Sequence, residues 1–126
     1  MVNTKLLKSD AENLGITLTE EQISLFEKLS ELLVEQNKTM NLTAITDPDG
    51  IAVKHFADSV SVLSAFDFAN GAKVLDVGTG AGFPSIPLLI ARPDLDMTMI
   101  DSTAKKLKYV ASTVESLGLT AEVLHT

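Results

Sequence analysis

The feature that most constrains this sequence is a run of glycines placed between a short apolar segment and a helical one. The run Gly78-Thr79-Gly80-Ala81-Gly82 follows the strand-like segment Lys73–Val77 and precedes the apolar segment Pro84–Ala91. Glycines at such a junction let the backbone turn sharply and approach a ligand without a Cβ in the way. The helix that follows offers free N–H groups and the positive end of its dipole. This order predicts a ligand-binding strand–loop–helix unit of a parallel α/β sheet.

The spacing of apolar residues extends this unit into a sheet. Arg92-Pro93 ends the helix over Pro84–Ala91, and Asp96–Asp101 predicts a second strand. A helix is expected over Thr103–Leu117, and Ala121–Leu124 begins a third strand. Alternating strands and helices predict a doubly wound parallel sheet with right-handed crossovers. Because such sheets usually contain five or more strands, we expect the sequence to be the first part of a longer protein.

The first half of the sequence has a different, helical pattern. A first helix is predicted over Thr4–Leu14, and Thr19 with Gln22 forms a capping-box pattern that starts a second helix. The residues at 47–50, Asp-Pro-Asp-Gly, are typical of a turn. Helical patterning returns over residues 51–66. We therefore expect a helical N-terminal subdomain over 1–66 and a partial Rossmann-like domain over 67–126.

Composition and charge narrow the class of protein. The chain has 126 residues, 45% of them hydrophobic, which is enough for one folded core, and no apolar run approaches the length of a membrane span. The absence of cysteine excludes disulfides, thiolate metal sites and a cysteine nucleophile. Seventeen acidic against ten basic residues give a net charge of −7, which argues against a broad nucleic-acid-binding surface. The densest basic cluster, Lys105-Lys106-Leu107-Lys108, is either a set of RNA-phosphate contacts or a solvated helix face.

The residues around the glycines indicate the class of ligand. Asp101 ends the second predicted strand, where an acidic side chain accepts hydrogen bonds from the ribose hydroxyls of a nucleotide-like cofactor. The dinucleotide pattern G-x-G-x-x-G would require a small residue at 83, but Phe83 stands there. The pattern here is G-x-G-x-G preceded by Asp76, which is typical of methyltransferases that use S-adenosyl-L-methionine (AdoMet). A dinucleotide site and a glycine-rich turn without a ligand are the alternatives.

Four segments together carry a more specific resemblance. They are Asp76–Pro84 with its continuation Ser85-Ile86-Pro87-Leu88, Asn41-Leu42-Thr43-Ala44-Ile45, Lys54-His55-Phe56-Ala57-Asp58-Ser59, and Asp101-Ser102 followed by Lys105-Lys106. Over residues 5–126 the sequence resembles the glucose-inhibited division protein B family, which are bacterial 16S ribosomal RNA guanine-N7 methyltransferases. Lys106 stands where arginine is common in that family, and Ala57 where leucine is common.

The resemblance implies a fold and a set of cofactor contacts. The fold is an N-terminal helical subdomain followed by the first three strands of the class I AdoMet methyltransferase sheet, here truncated. Gly78 and Phe83 fall on AdoMet-contacting positions, Gly80 and Gly82 complete the loop, and Asp101 is the ribose-binding acid. No metal and no catalytic side chain are implied.

The resemblance also implies an activity, a partner and a location. The reaction is methyl transfer from AdoMet to N7 of a guanine in 16S rRNA, guanine 527 in the family, within the small ribosomal subunit or its precursor. It takes place in the cytoplasm and not at a membrane. Because guanine N7 carries an in-plane lone pair, it attacks the methyl group without losing a proton, so no acid–base pair is required.

Several interpretations remain open at this level. A non-catalytic AdoMet-binding remnant or interaction module, and a small-molecule methyltransferase, are alternatives to the rRNA enzyme. The 126 residues alone are expected to be inactive, and to self-associate or dissolve poorly through the unpaired edge of Lys73–Val77. His55 either lies near the guanine or an RNA phosphate, or forms a hydrogen bond with Asp58. Asn41 contacts substrate or caps its loop, and Asp76 holds the amides of the glycine loop.

Overall fold

The N-terminal half of the protein is helical, as predicted. The computed structural model describes residues 2–126. Its helices in this half are α1 (Thr4–Asn13), α2 (Glu20–Asn37), α3 (Pro48–Gly50), a π-helix (Ile51–Ala57), α4 (Asp58–Val60) and α5 (Val62–Ala65). The last four follow one another with at most one residue between them, so the chain is helical almost without a break from residue 48 to residue 65.

The C-terminal half forms a three-stranded parallel sheet with helical crossovers. The strands are β1 (Lys73–Val77), β2 (Asp96–Asp101) and β3 (Glu122–His125), in the spatial order β1-β2-β3. Helix α6 (Ser85–Ala91) joins the first two strands and α7 (Ala104–Ser116) joins the last two. The predicted α/β class and parallel order are confirmed, and the predicted ends of these elements differ from the observed ones by one residue at most.

The capping box at the start of α2 ties the two halves together. The amide of Gln22 donates to Thr19 Oγ1 at 3.2 Å, and the amide of Thr19 donates to Gln22 Oε1 at 2.8 Å. The Gln22 side-chain amide also donates to the carbonyls of Ile90 and Ala91, each at 3.2 Å. These two carbonyls belong to the last turn of α6, where no helical partner is available. One side chain therefore caps the start of α2 and the end of α6.

The turn predicted at residues 47–50 is wrong. Asp47 is the N-cap of a helix, its carboxylate accepts from the amide of Gly50 at 2.8 Å, and Pro48 occupies the first helical position. Aspartate followed by proline serves both a turn and a helix start, because proline fixes a φ that both conformations use. The apolar residues of the following π-helix, Ile51 and Phe56, are fully buried and draw the segment into the core.

The core lies between the helices and one face of the sheet. A single hydrophobic cluster contains Phe26 of α2, Phe56 of the π-helix, Leu89 of α6 and Met99 of β2, all fully buried. The opposite face of the sheet is uncovered, and there Val77 on the edge strand β1 leaves 73% of its surface exposed. The cofactor loop leaves β1 at the end of this strand, so it lies at an open margin of the protein.

Candidate cofactor site

The glycine loop turns sharply at the carboxyl end of β1. Gly78, Gly80 and Gly82 have φ angles of +76°, +56° and +94°, in the left-handed region that favours glycine. The amides of Gly78 and Thr79 both donate to the carbonyl of Ile100, at 2.8 and 3.0 Å. The loop is thereby fastened to the end of β2, and its position is set by the sheet.

The first and last glycines of the loop meet different surroundings. A Cβ built on Gly78 would find no atom within 4 Å, whereas one built on Gly82 would lie 2.5 Å from Ile86 Cδ1. Gly82 is therefore needed for close packing of the loop on α6. The backbone at Gly78 borders open space, so a ligand could approach it closely.

Asp101 reaches from the end of β2 to the middle of the loop. Its Oδ2 accepts from the amide of Gly80 and its Oδ1 from the amide of Thr103, both at 2.8 Å. The hydrogen bonds from Thr103 and Gly80, together with the charge of Lys106, hold the pKa of the Asp101 carboxyl below its usual value despite partial desolvation. Each carboxylate oxygen retains acceptor capacity, so the ionised group can also take hydrogen bonds from two hydroxyls of a ribose.

Asp76, near the end of β1, holds the glycine loop through hydrogen bonds to side-chain hydroxyls. Its Oδ2 accepts a hydrogen bond from the hydroxyl of Thr79 at 2.8 Å and another from the hydroxyl of Ser85. Both hydroxyl-bearing residues are buried, so the carboxylate satisfies polar groups that would otherwise lack a partner. The side chain thus holds the loop through hydroxyls, and the predicted bonds to loop amides are not those observed.

Phe83 follows the last glycine, and two rings of the π-helix pack against its side chain. The His55 imidazole is stacked on it, with centroids 4.9 Å apart and planes 9° from parallel. The ring of Phe56 packs against it at 6.2 Å and 57°. Two neighbouring rings therefore hold the Phe83 side chain where the chain leaves the glycine loop.

The imidazole of His55 has a polar partner that the sequence did not indicate. Its Nε2 lies 2.7 Å from Thr43 Oγ1, and the predicted alternative partner, Asp58, is exposed. Burial lowers the pKa of His55, and a hydrogen bond with the backbone of Ile45 offsets this only in part. A neutral imidazole has one donor and one acceptor, so it can satisfy the Thr43 hydroxyl and the Ile45 backbone together.

Asn37, at the end of α2, organises the segment that carries Thr43. Its Oδ1 accepts from the amides of Leu42 and Thr43 at 2.8 and 2.9 Å, and its Nδ2 donates to the carbonyl of Thr43 at 2.9 Å. Asn41, which was predicted to contact substrate or cap this loop, is exposed, and the cap is Asn37. Sequence reasoning missed both Asn37 and Thr43. The available signal was the helix-ending asparagine followed by a polar segment without periodicity.

The basic cluster lies along the first turns of α7, next to Asp101. Lys105 and Lys108 are exposed, and Lys106 is half-buried and close enough to Asp101 to act on its pKa. The structure thus brings the loop glycines, Phe83, Asp101 and one lysine to the same end of the sheet. Over residues 2–126, no helix combines the length and hydropathy that crossing a bilayer requires.

Comparison with known proteins points to one family. The family model described as rRNA small subunit methyltransferase G matches residues 22–126. A protein named ribosomal RNA small subunit methyltransferase G from Desulforamulus reducens is 46% identical over 117 residues, which cover 93% of this chain and 49% of that relative. One of the same name from Lysinibacillus sphaericus is 50% identical over 105 residues, or 83% of this chain and 44% of the relative.

A solved structure gives the same indication. The crystal structure of a SAM-dependent methyltransferase from Aquifex aeolicus matches with a TM-score of 0.50 and 36% identity, covering 62% of this chain and 42% of that one. The chain spans about half the length of the curated relatives it matches.

Proposed function

The chain belongs to the rRNA small subunit methyltransferase G family, and from that premise we propose that the protein transfers a methyl group from AdoMet to N7 of a guanine in 16S rRNA. The family site, guanine 527, is the proposed target, and the small ribosomal subunit or its precursor is the proposed partner. An rRNA substrate assigns the reaction to the cytoplasm. We keep the division into a helical subdomain, 1–66, and an AdoMet-binding domain, 67–126, as part of this proposal.

The observation that carries the proposal is the pairing of an open glycine cradle with an ionised acid. The loop leaves bare backbone beside open space at Gly78, and the amide of Gly80 is held by Asp101 at 2.8 Å. AdoMet fits these groups, because its ribose needs an acceptor and its methionine part needs close backbone approach. We assign cofactor binding to the loop glycines Gly78, Gly80 and Gly82, to Phe83 at their rim and to Asp101 for the ribose.

In the proposed reaction the protein positions the cofactor and the guanine and does not need to transfer protons. AdoMet, when bound, supplies an activated methyl group on a sulfonium. The residues of the site then have to hold the cofactor and exclude water while the in-plane lone pair of guanine N7 approaches in line. Three features are suited to holding a ligand: a loop hydrogen-bonded to β2, a carboxylate fixed by two amides, and a phenylalanine ring held by two neighbouring rings.

We also propose that residues 1–126 alone do not carry the complete active site. The chain spans about half of its curated relatives, and the edge strand leading into the cofactor loop leaves Leu75 and Val77 exposed. A cleft open on that side cannot enclose both a cofactor and a base. The unpaired edge of β1 also offers hydrogen-bonding groups on an apolar strand, so the isolated chain self-associates there. A non-catalytic AdoMet-binding module is the second candidate, which the same open cleft favours.

The test uses the full-length protein, small ribosomal subunits that lack the modification, and AdoMet labelled in the methyl group. We expect label in 16S rRNA, recovered as 7-methylguanosine after digestion to nucleosides and mapped by reverse transcription. The 126-residue chain in the same assay is expected to transfer none. Binding of AdoMet by the full-length protein without any transfer would favour the non-catalytic module, and label on another atom or another RNA would refute the proposed substrate.

A further inference from the structure

The contacts that the Phe83 ring makes with the π-helix have no role yet in cofactor binding. The residue is assigned to cofactor binding, yet two consecutive residues of the π-helix, His55 and Phe56, both pack against its ring. The nearly parallel His55 ring, at 9°, is the closer of the two. A half-buried histidine is not needed merely to fill this space, because its ring nitrogens require hydrogen-bond partners and a leucine would not.

The polar partners of His55 fix the plane of its ring. Thr43 Oγ1 lies 2.7 Å from Nε2 and also accepts from the amide of Ile45 at 3.0 Å, so the hydroxyl itself has one orientation. Thr43 is in turn held at its amide and at its carbonyl by the side chain of Asn37. A continuous chain of hydrogen bonds therefore runs from the end of α2 to the imidazole, and the imidazole faces Phe83.

The local helix geometry agrees with a functional placement. His55 lies within the seven-residue π-helix Ile51–Ala57, and π-helical turns occur frequently at functional sites. The next residue, Phe56, is fully buried, and its ring packs against that of Phe26 in α2 with the centroids 5.0 Å apart. The backbone at residue 55 is thus anchored in the core while its side chain reaches the rim of the cofactor loop.

We infer that His55 is a positioning residue for cofactor binding, acting through its ring on Phe83. The stack holds the Phe83 ring in one orientation at the rim of the glycine loop before the cofactor arrives, so the ordering cost is not incurred on binding. Thr43, in the segment before the π-helix, supplies the hydroxyl that contacts the imidazole. This inference rests on the proposed function of the site.

The experiment compares two substitutions of similar volume in the full-length protein. His55→Phe keeps a flat ring opposite Phe83 and removes the polar atoms, whereas His55→Leu fills the space without a ring. We expect the dissociation constant for AdoMet, measured by titration calorimetry, to rise about tenfold in His55→Leu, which loses both the ring and its hydrogen bond to Thr43, and clearly less in His55→Phe, which keeps a ring and loses only the hydrogen bond. Thermal unfolding of each variant shows whether it is folded, and His55→Met replaces the leucine variant if that one is not.

Proton chemical shifts of the Phe83 ring provide the second measurement. They should move toward those of an unstacked phenylalanine in His55→Leu and keep the signature of a stacked ring in His55→Phe. A purely structural role predicts instead that affinity follows thermal stability, whatever the ring at position 55. Equal affinities of wild type and His55→Leu would overturn the inference and leave the proposed function intact, as would an equal loss in both variants. If the wild-type protein binds no AdoMet, the proposed function fails and the inference fails with it.

Discussion

The open space beside Gly78 leads to a prediction with an internal control. Gly15, in the connection between α1 and α2, has a φ of +80°, close to the +76° of Gly78, and a Cβ at either position would meet no atom within 4 Å. Alanine at either position is strained by the left-handed conformation, at about 1–2 kcal/mol. Gly15→Ala and Gly78→Ala should therefore lower the free energy of unfolding by similar amounts.

Only one of the two substitutions should affect cofactor binding. At Gly78 the added methyl group would occupy the open space proposed for the cofactor, while at Gly15 it points into open space outside the proposed site. Forcing one extra carbon into a filled site costs about 1–3 kcal/mol, which corresponds to roughly a 5- to 150-fold higher Kd. Gly78→Val adds two further carbons and should abolish measurable binding without unfolding the N-terminal helices.

The measurements are urea unfolding for stability and titration calorimetry for AdoMet binding, both on the full-length protein. A wild-type Kd for AdoMet in Gly78→Ala would show that the loop is not the cofactor site. A much larger loss of stability in Gly78→Ala than in Gly15→Ala would also contradict the prediction. That result would mean that the space beside Gly78 is filled by protein in solution.

Three further predictions concern charge, pH and the sheet edge. Asp101→Asn should weaken AdoMet binding by about 1–3 kcal/mol, because charge-assisted hydrogen bonds are lost. Asp96→Asn, at the other end of β2, should leave the Kd unchanged in the same calorimetric titration. Because burial lowers the pKa of His55 below 6.5 in the folded state, the unfolded chain takes up the proton first as the pH falls. Stability in urea should thus be flat above that value and decline below it, and His55→Phe should lose less stability between pH 7.5 and pH 5 than wild type. Val77→Lys should make the isolated 126-residue chain more monomeric in sedimentation velocity, whereas Leu124→Lys, on β3, should not; no change with Val77→Lys would show that the β1 edge is not where the chain associates.

The strands and the glycine loop could be predicted because residues that end secondary-structure elements flank them in the sequence. The bounds of β1 and β2 match the prediction residue for residue, since glycines end the first strand and Arg92-Pro93 separates the second from α6. The capping box at Thr19 was predicted for the same reason: its two partners are three residues apart. Its second role, bonding of Gln22 to the end of α6, spans 68 residues and leaves no trace in any local pattern.

Helix was predicted over residues 51–66, but its π-helical geometry over 51–57 and its start at residue 48 could not be, because two kinds of information are missing from the sequence. A π-helix of seven residues contains too few turns for its apolar spacing to be distinguished from that of an α-helix. Asp47-Pro48 marks the start of a turn and the start of a helix equally well, and burial of Ile51 and Phe56 decides between them. That decision comes from tertiary packing, which overrides local preference.

The resemblance singled out Asn41–Ile45 and His55 without a physical reason, and the contacts of the structure supply one for part of each segment. In the first, the side chain that matters to the loop is Thr43, because its hydroxyl contacts the imidazole and accepts from the amide of Ile45, while Asn41 is exposed. In the second, His55 faces Phe83 and Phe56 faces the core. Residues 12 positions apart are thus joined by one hydrogen bond, and both bear on the residue that follows the glycine loop. If the loop binds the cofactor as proposed, the helical half of the protein takes part in shaping that site and does more than cover the sheet.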